Sequence, residues 1–305
     1  MSHDHHHGAG EHSHAPKDFG RAFLIGIVLN TGYVIAEATF GILSGSLSLV
    51  ADAGHNLSDV LGLALAWTAA VMVKKPASER RTYGWKRSSI MAALFNAVFL
   101  LLSIGVIAWE ALKRLDNPQP IEAGVMMWVG AVGILINGGT AWLFMSGSKS
   151  DLNIRGAFLH MAADAAITLG VVLTGLAIML TDWNWLDPVV SLLIAGVVVW
   201  GTWGLLRDSF NLSMDAVPPG IDYNEVRDFL MHQDRVRSLH DLHVWALSTT
   251  ETALTAHLVV EGDGREDQLV RELQTELHEH FEIRHATLQI ETPGMEHHEA
   301  DVKCN

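Results

Sequence analysis

Residues 46–72 read SLSLVADAGHNLSDVLGLALAWTAAVM. At about 1.5 Å of rise per residue, a helix of this length crosses the roughly 30 Å hydrocarbon layer of a bilayer. It nevertheless carries His55 and Asp59, whose i, i+4 spacing puts both side chains on one face, one turn apart. Because ionisable groups are costly inside a bilayer, a pair of this kind faces a cavity and serves a function. The stretch therefore predicts a membrane helix with a polar site.

Composition extends this prediction to most of the chain. Only 18 % of the 305 residues are charged, whereas soluble domains carry about 25 %. Apolar runs that are long enough to cross a membrane cover approximately residues 21–42, 46–72, 88–112, 122–145, 154–180 and 187–207. We therefore predict an α-helical membrane protein with six transmembrane helices within residues 19–207.

The loops between these runs predict the orientation of the protein. Eleven basic residues flank the runs on the side of the N-terminus, six of them between the second and third runs. The other side has only Lys113 and Arg114. By the positive-inside rule, both termini are expected in the cytoplasm.

The last hundred residues have a different character. Residues 208–305 hold twenty acidic and seven basic residues, and thus nearly all of the net charge of −14. Within 208–292, helical and alternating apolar patterns follow one another as αββαβ, an order typical of a small α+β domain. The acidity argues against a nucleic-acid partner, whose phosphates attract basic residues. Residues 1–18, with six histidines, are expected to form a disordered cytoplasmic tail, and 293–305 a flexible C-terminal tail.

A second pair with the same spacing, His160 and Asp164, lies in the fifth run. The second and fifth runs cross the membrane in opposite directions, so that His55 lies level with Asp164, and Asp59 with His160, if the two helices face each other. Two imidazoles and two carboxylates form a tetrahedral donor set that suits zinc, cobalt, nickel or cadmium better than magnesium or calcium. Asp52, three residues before His55, is interpreted as a hydrogen-bonding support for the ligands or as part of an outward exit path, with an ordinary helix-end residue as the alternative.

This donor set predicts carriage of a metal ion rather than chemistry on a substrate. Metal binding requires neutral imidazole and ionised carboxylate, so protons compete for the same residues, and we predict metal–proton antiport by alternating access. A membrane metal-dependent enzyme is one alternative, but four ligands leave no open position and the chain has no HExxH motif. A passive channel is another, although four strong ligands would hold an ion too tightly for rapid permeation. Other polar residues in the runs, such as Glu37, are expected to form hydrogen bonds between helices.

Several motifs together resemble one known family. They are SGSLSLVADAGHNLSD at 44–59, GWKR at 84–87, HMAAD at 160–164 and the αββαβ pattern. Over residues 20–292 the chain resembles the cation diffusion facilitator family, and especially its zinc-efflux members of bacterial and vesicular type. The resemblance implies a homodimer in a bacterial inner membrane, whose protomers exchange cytoplasmic Zn²⁺ for protons. It also implies that the four intramembrane residues form the transport site.

The resemblance further implies that the cytoplasmic domain binds regulatory zinc. His240 and His257 match family ligand positions, whereas the last strand carries Gln289 and Glu291 where some relatives use His and Asp. His243 is either a further ligand or a core residue. The alternative for the whole group is a solvated acidic face with surface histidines.

Residues near the ends of the cytoplasmic domain complete the predictions. Family alignment implies an ion pair between Arg87 and Asp215 that holds the dimer below the membrane, with two independent charges as the alternative. His297, His298 and the single cysteine, Cys304, form a possible metal-capping cluster on the C-terminal tail. The histidines of residues 1–18 are interpreted as a metal-capturing tract.

Overall fold

The computed structural model describes residues 19–73, 75–145, 152–261 and 266–293, apart from the side chains of 19–27, 59, 62–64, 66–67, 69–70, 143–144 and 152–160. The chain divides into two compact units. The first unit comprises the residues up to Leu57 together with Ala111–Ser191, and the second comprises Ser58–Glu110 and the residues from Leu192 onward.

Six long helices come first along the chain. They are α1 (Phe19–Ser44), α2 (Leu47–Val73), α3 (Ser88–Asp116), α4 (Ala123–Met145), α5 (Leu152–Thr181) and α6 (Leu186–Ser213). Among the described residues, four stretches have the length and hydropathy of a membrane span: Ser88–Asp116, Ala123–Trp142, Met161–Thr181 and Leu186–Ser213. Apolar side chains on these helices are widely exposed, as a surface in contact with hydrocarbon requires; Trp200 is 87 % exposed and Trp128 77 %. The protein thus has a helical membrane domain, and passage of α1 and α2 through the membrane stays a prediction.

The turn between α1 and α2 is held by contacts inside the first unit. Gly45 adopts φ +74°, a conformation that glycine reaches without a steric penalty. Its carbonyl accepts a hydrogen bond from the Arg114 guanidinium (2.6 Å). The Asp187 carboxylate of α6 accepts from the backbone N–H groups of Leu47 (2.7 Å) and Ser48 (3.1 Å). The N-terminus of α2 is therefore capped by a side chain from a distant helix.

The cytoplasmic domain follows α6 in the predicted order, within the second unit. Its elements are α7 (Tyr223–Met231), β1 (Val236–Ala246), β2 (Thr252–Val260), α8 (Glu266–Phe281) and β3 (Ile283–Glu291). The sheet order is β1-β2-β3, with β1 antiparallel and β3 parallel to β2. Leu230 of α7 and Leu273 of α8 pack in one core with Leu254 and Leu258 of β2. Since side chains alternate along a strand, His257 and its neighbours of the same parity lie on the opposite face of the sheet.

An irregularity in β1 shapes that opposite face. His240 pairs with His257, whereas His243 pairs with Thr255, so that β1 contains one additional residue between the two pairs. Asp241 lies in this bulge and has φ +51°, a left-handed conformation that Asp tolerates better than most residues. The bulge thus brings the Asp241 carboxylate to the same face as the two histidines that flank it.

Candidate metal centres

His55 and Asp164 meet inside the first unit. The Nε2 atom of His55 in α2 lies 3.4 Å from Oδ1 of Asp164 in α5, and the two side chains are 17 % and 2 % exposed. Ligand atoms bound at about 2.0–2.1 Å to a tetrahedral ion lie roughly 3.3 Å apart, so this separation matches the edge of a zinc coordination tetrahedron. The other two predicted ligands, Asp59 and His160, have side chains outside the described part of the chain.

Asp52 lies directly behind this contact. Its carboxylate is fully buried, and its Oδ2 accepts a hydrogen bond from the Thr168 hydroxyl at 2.7 Å. The same hydroxyl lies 2.9 Å from the backbone carbonyl of Asp164. Thr168 therefore links Asp52 to the helix turn that carries Asp164. The interpretation of Asp52 as a support for a metal ligand stays a prediction.

A third buried carboxylate in the first unit belongs to Glu37 of α1. Its Oε1 accepts from the Tyr33 hydroxyl (2.5 Å) and its Oε2 from the Asn56 amide of α2 (3.1 Å). The expected hydrogen bond between helices is thus present. The described donors to Glu37 and Asp52 are a phenol, an amide and a hydroxyl, none of which carries a positive charge. Buried carboxylates whose described hydrogen-bond donors are all neutral favour binding of a cation or of protons.

The sheet of the cytoplasmic domain carries a separate cluster. Ligand atoms of His240, His257 and Glu291 all lie within 4.8 Å of one another. Glu291 is buried, with its Oε2 3.4 Å from His240 Nε2 and its Oε1 3.1 Å from His257 Nδ1. Oε2 has no hydrogen-bond partner among the described residues, whereas Oε1 accepts from the Gln289 amide at 3.0 Å. Two imidazoles and a carboxylate oxygen at these separations fit a zinc ion.

Asp241 joins the edge of this cluster, which sequence patterns did not suggest. Its carboxylate lies 2.8 Å from Nε2 of His243 and 3.8 Å from Nε2 of His257. His243 is 54 % exposed and turned toward Asp241, so it is not a core residue, and it lies outside the three-residue cluster. The signal that could have found Asp241 is its place in a bulge between two histidines, but alternation alone assigns it to the wrong face.

The predicted pair of Arg87 and Asp215 is an ion pair within the second unit. Asp215 follows α6 with φ +60°, and both side chains are about half exposed. A second ion pair, between Lys86 and Glu251, lies beside it and is less exposed. His297, His298 and Cys304, like the histidines of residues 1–18, lie outside the described residues.

Two family models match the chain. The model of the cation efflux transmembrane domain matches residues 23–212, and that of the cytoplasmic domain of cation efflux proteins matches residues 218–293.

Several characterised relatives match over nearly their whole length. The cadmium, cobalt and zinc/H⁺-K⁺ antiporter of Bacillus subtilis is 34 % identical over 98 % of this chain and 95 % of its own. The zinc transporter ZitB of Escherichia coli is 35 % identical over 95 % of this chain and 93 % of its own. The metal cation efflux system protein CzcD of Cupriavidus metallidurans is 36 % identical over 96 % of this chain and 93 % of its own. A solved structure, the metal-bound C-terminal domain of CzcD, is 36 % identical, covers 23 % of this chain and 99 % of its own, and has a TM-score of 0.22. From the family models and the full-length relatives it follows that the chain belongs to the cation efflux family.

Proposed function

We propose that this protein is a divalent metal cation efflux transporter that exchanges cytoplasmic Zn²⁺ for protons. The observation that carries the proposal is the close approach of the largely buried side chains of His55 in α2 and Asp164 in α5. An imidazole and a carboxylate in a membrane domain, at the separation of two ligands on one ion, suit a cation that must leave water. The names of the relatives, which include zinc, cadmium and cobalt transport, support the same function.

The transport site of this proposal consists of His55, Asp59, His160 and Asp164. The i, i+4 spacing in α2 puts Asp59 one turn from His55, and the same spacing in α5 puts His160 one turn from Asp164. Asp52 and Thr168 support the site from behind, because partners of ligands fix the orientation and basicity of the donor atoms. Two nitrogen and two oxygen donors would hold Zn²⁺ in a closed tetrahedral shell.

In the mechanism that we propose, the same four residues bind Zn²⁺ and protons alternately. Zn²⁺ loads from the cytoplasm onto neutral imidazoles and ionised carboxylates, and the membrane helices then open to the opposite side. Protons from that side neutralise the carboxylates and charge the imidazoles, which releases the metal ion. An unperturbed imidazole titrates near pH 6.5, so that exchange at physiological pH is possible.

The topology that accompanies this proposal has six crossing helices and both termini in the cytoplasm. The basic residues of the α2–α3 loop support this orientation. We further propose that the protein is a homodimer in a bacterial inner membrane, with the Arg87–Asp215 pair near the membrane surface. The location is supported by the relatives, which are bacterial proteins, and by the C-terminal family model, which describes a cytoplasmic domain. Cd²⁺, Co²⁺ and Ni²⁺ are alternative cargoes for the same donor set.

The decisive experiment is Zn²⁺ uptake by proteoliposomes that contain the full-length protein, with and without an acidic interior. We expect uptake that depends on the gradient, and a loss of at least tenfold in Asp164→Asn, which lacks a charged ligand. Asp182→Asn is the matched control, because Asp182 is an exposed residue of the α5–α6 turn. Uptake that ignores the gradient would exclude antiport. Full activity of Asp164→Asn would exclude this site.

The metal preference can be tested in the same vesicles. His55→Asp replaces a nitrogen donor by a third carboxylate, which favours harder ions. We expect the ratio of Mn²⁺ to Zn²⁺ transport to rise in this variant. An unchanged ratio would show that His55 does not contact the cargo.

We further propose that His240, His257 and Glu291 bind a regulatory zinc ion, with Asp241 and His243 at the edge of the site. The domain that holds them is strongly acidic, so bound cations reduce the repulsion between its two copies in a dimer and favour their approach. Zinc titration of the full-length protein should show one fewer site in His257→Ala, with transport activation shifted to higher zinc. The exposed His280, on α8, provides the control variant His280→Ala. Equal stoichiometry in wild type and His257→Ala would refute the regulatory site.

A further inference from the structure

The loop that joins α2 to α3 forms a basic pocket with the cytoplasmic domain. The pocket has a volume of about 530 Å³ and lies within the second unit. It is lined by Arg80, Arg81, Lys86 and Arg87 of the loop, by the first turn of α3, and by Trp245 of β1. None of the metal ligands proposed above lines it, so the pocket requires its own explanation.

The four basic residues of the pocket differ in their partners. Lys86 pairs with Glu251 and Arg87 with Asp215. Arg80 and Arg81 are exposed, and neither has a carboxylate partner among the residues that the structure describes. Their positive charges are therefore available to a ligand.

The pocket also has features that orient an anion. The Arg81 guanidinium stacks over the Trp85 ring at 3.8 Å from its centroid, which restricts the planar group to one orientation. Ser88, the first residue of α3, contributes a buried hydroxyl that has no hydrogen-bond partner within the described part of the chain. Guanidinium groups and a hydroxyl are suitable donors for a phosphate group.

We propose that this pocket binds the phosphate of an anionic phospholipid in the cytoplasmic leaflet. Ser88, which lines the pocket, is the first residue of a helix with the length and hydropathy of a membrane span, and phospholipid headgroups lie at the ends of such helices. Met91 lines it one turn further along α3, and Phe95 (64 % exposed) and Phe99 (46 % exposed) follow on the next turns. These apolar side chains provide a path for an acyl chain, which a soluble phosphate would not use. Basic residues next to a membrane helix are a known basis of attraction to anionic lipids.

A lipid in this pocket would act on the connection between the membrane and the cytoplasmic domain. The loop is tied to that domain by the Lys86–Glu251 pair, and the first turn of α3 by a hydrogen bond from the Thr249 N–H to the Ser89 hydroxyl (3.1 Å). A bound phosphodiester would offset one of the two positive charges of Arg80 and Arg81 beside these contacts.

The test is lipid binding to the purified full-length protein by native mass spectrometry. The probes are phosphatidylglycerol, phosphatidylcholine of the same chain length, and glycerol 3-phosphate. We expect phosphatidylglycerol to bind the wild type at least about fivefold more tightly than phosphatidylcholine, and the variant Arg80→Gln/Arg81→Gln to lose that preference. The control is Arg237→Gln, which removes an exposed arginine of β1 that does not line the pocket. It should bind lipid as the wild type does.

Each other outcome has a defined meaning. Equal binding of the two lipids to the wild type would overturn the proposal without any variant. If the double variant kept both its melting temperature and its preference for phosphatidylglycerol, the two arginines would not bind the lipid, and the proposal would be overturned. Binding of glycerol 3-phosphate as tight as that of phosphatidylglycerol would assign the pocket to a soluble phosphorylated ligand and overturn the lipid. Zinc transport is not part of the readout, so failure here and failure of the transport proposal are separate results.

Discussion

Thr168 is the residue whose hydroxyl connects Asp52 of α2 to the turn of α5 that carries Asp164. It is fully buried, donates to Asp52 and lies beside the carbonyl of Asp164. A carboxylate that loses a donor in a low-dielectric environment becomes more costly and less well oriented. The geometry therefore gives Thr168 a role in positioning, although it is not itself a proposed ligand.

We expect Thr168→Val to weaken zinc binding about tenfold, the lower end of the effect of removing a partner of a metal ligand. Valine keeps the shape of threonine but cannot donate to Asp52. The measurement is the zinc concentration for half-maximal uptake in proteoliposomes.

Thr168→Ser is the matched control for this prediction, since it retains the hydroxyl and loses only a methyl group. It should bind zinc nearly as the wild type does, because the lost methyl group lowers folding stability by about 0.8 kcal/mol but leaves the hydrogen bond to Asp52 in place. If valine and serine gave the same zinc dependence, the hydrogen bond to Asp52 would have no part in metal binding.

At the scale of the elements, α4 approaches α1 closely through a glycine. A Cβ atom on Gly133 would lie 2.1 Å from the Tyr33 hydroxyl and 3.1 Å from Thr168 Cγ2. The absence of a side chain at Gly133 thus leaves the space from which Tyr33 donates to Glu37.

Gly133→Ala should destabilise the protein by about 1–3 kcal/mol, the usual cost of overpacking a well-packed interior. The inserted methyl group displaces Tyr33 and breaks its hydrogen bond to Glu37. Gly138→Ala in the same helix is the control, because nothing lies within 4 Å of its added Cβ. Thermal unfolding in detergent measures both. Equal melting temperatures would mean that α1 and α4 separate at no cost.

Asp187 fixes the start of α2, the helix that carries His55. Besides two backbone N–H groups, its carboxylate accepts from the hydroxyls of Ser46 (2.8 Å) and Ser48 (2.5 Å). These four donors include orphan N–H groups of a helix N-terminus, which are costly when buried without an acceptor.

We expect Asp187→Asn to lower the free energy of unfolding by about 1–3 kcal/mol, because the amide removes the charge and turns one acceptor into a donor. The change should appear as a lower melting temperature and reduced zinc uptake. Asp182→Asn, at an exposed turn position, should change neither. If Asp187→Asn had the stability of the wild type, the cap would not hold α2 in place.

Sequence patterns predicted the elements better than the contacts between them. The apolar run 122–145 matches α4 almost to the residue, because length and hydropathy are local properties. The run that ends at 207 stops short of α6, which continues to Ser213, since a helix need not end where the hydrocarbon does. β1 likewise begins at Val236, where it pairs with Val260, before its alternation becomes regular.

The polar contacts show why the rest was not predictable. His55 and Asp164 share a face with their own i, i+4 partners, so their meeting follows from helix periodicity once the two helices face each other. Asp187 and Thr168 give no such signal: each acts on a residue more than a hundred positions away. Asp241 reaches its histidines only because a bulge interrupts the alternation of β1.

At the scale of the whole molecule, charge is divided between a nearly neutral membrane domain and an acidic cytoplasmic domain. The basic loop before α3 contacts the acidic domain through ion pairs and through the Tyr83 ring, which meets His285 edge-on at 5.5 Å. Exposed pairs contribute little to stability, because water screens them and ordering the side chains costs entropy. The pair of Lys86 and Glu251, which are 30 % and 23 % exposed, is the better protected of the two.

A charge swap at this pair tests whether it ties the loop to the domain. Lys86→Glu places two carboxylates together and should cost about 1 kcal/mol, and the addition of Glu251→Lys should recover most of that loss, which gives a coupling energy near 1 kcal/mol. The same set of single and double charge-swap variants at Arg237 and Glu261, both more than half exposed, should give a coupling energy close to zero. Melting temperatures of all variants in detergent supply both cycles. If the two couplings were equal, partial burial would add nothing to the Lys86–Glu251 pair, and the loop would be held to the domain by its other contacts, such as the Arg87–Asp215 pair and the Tyr83–His285 ring contact.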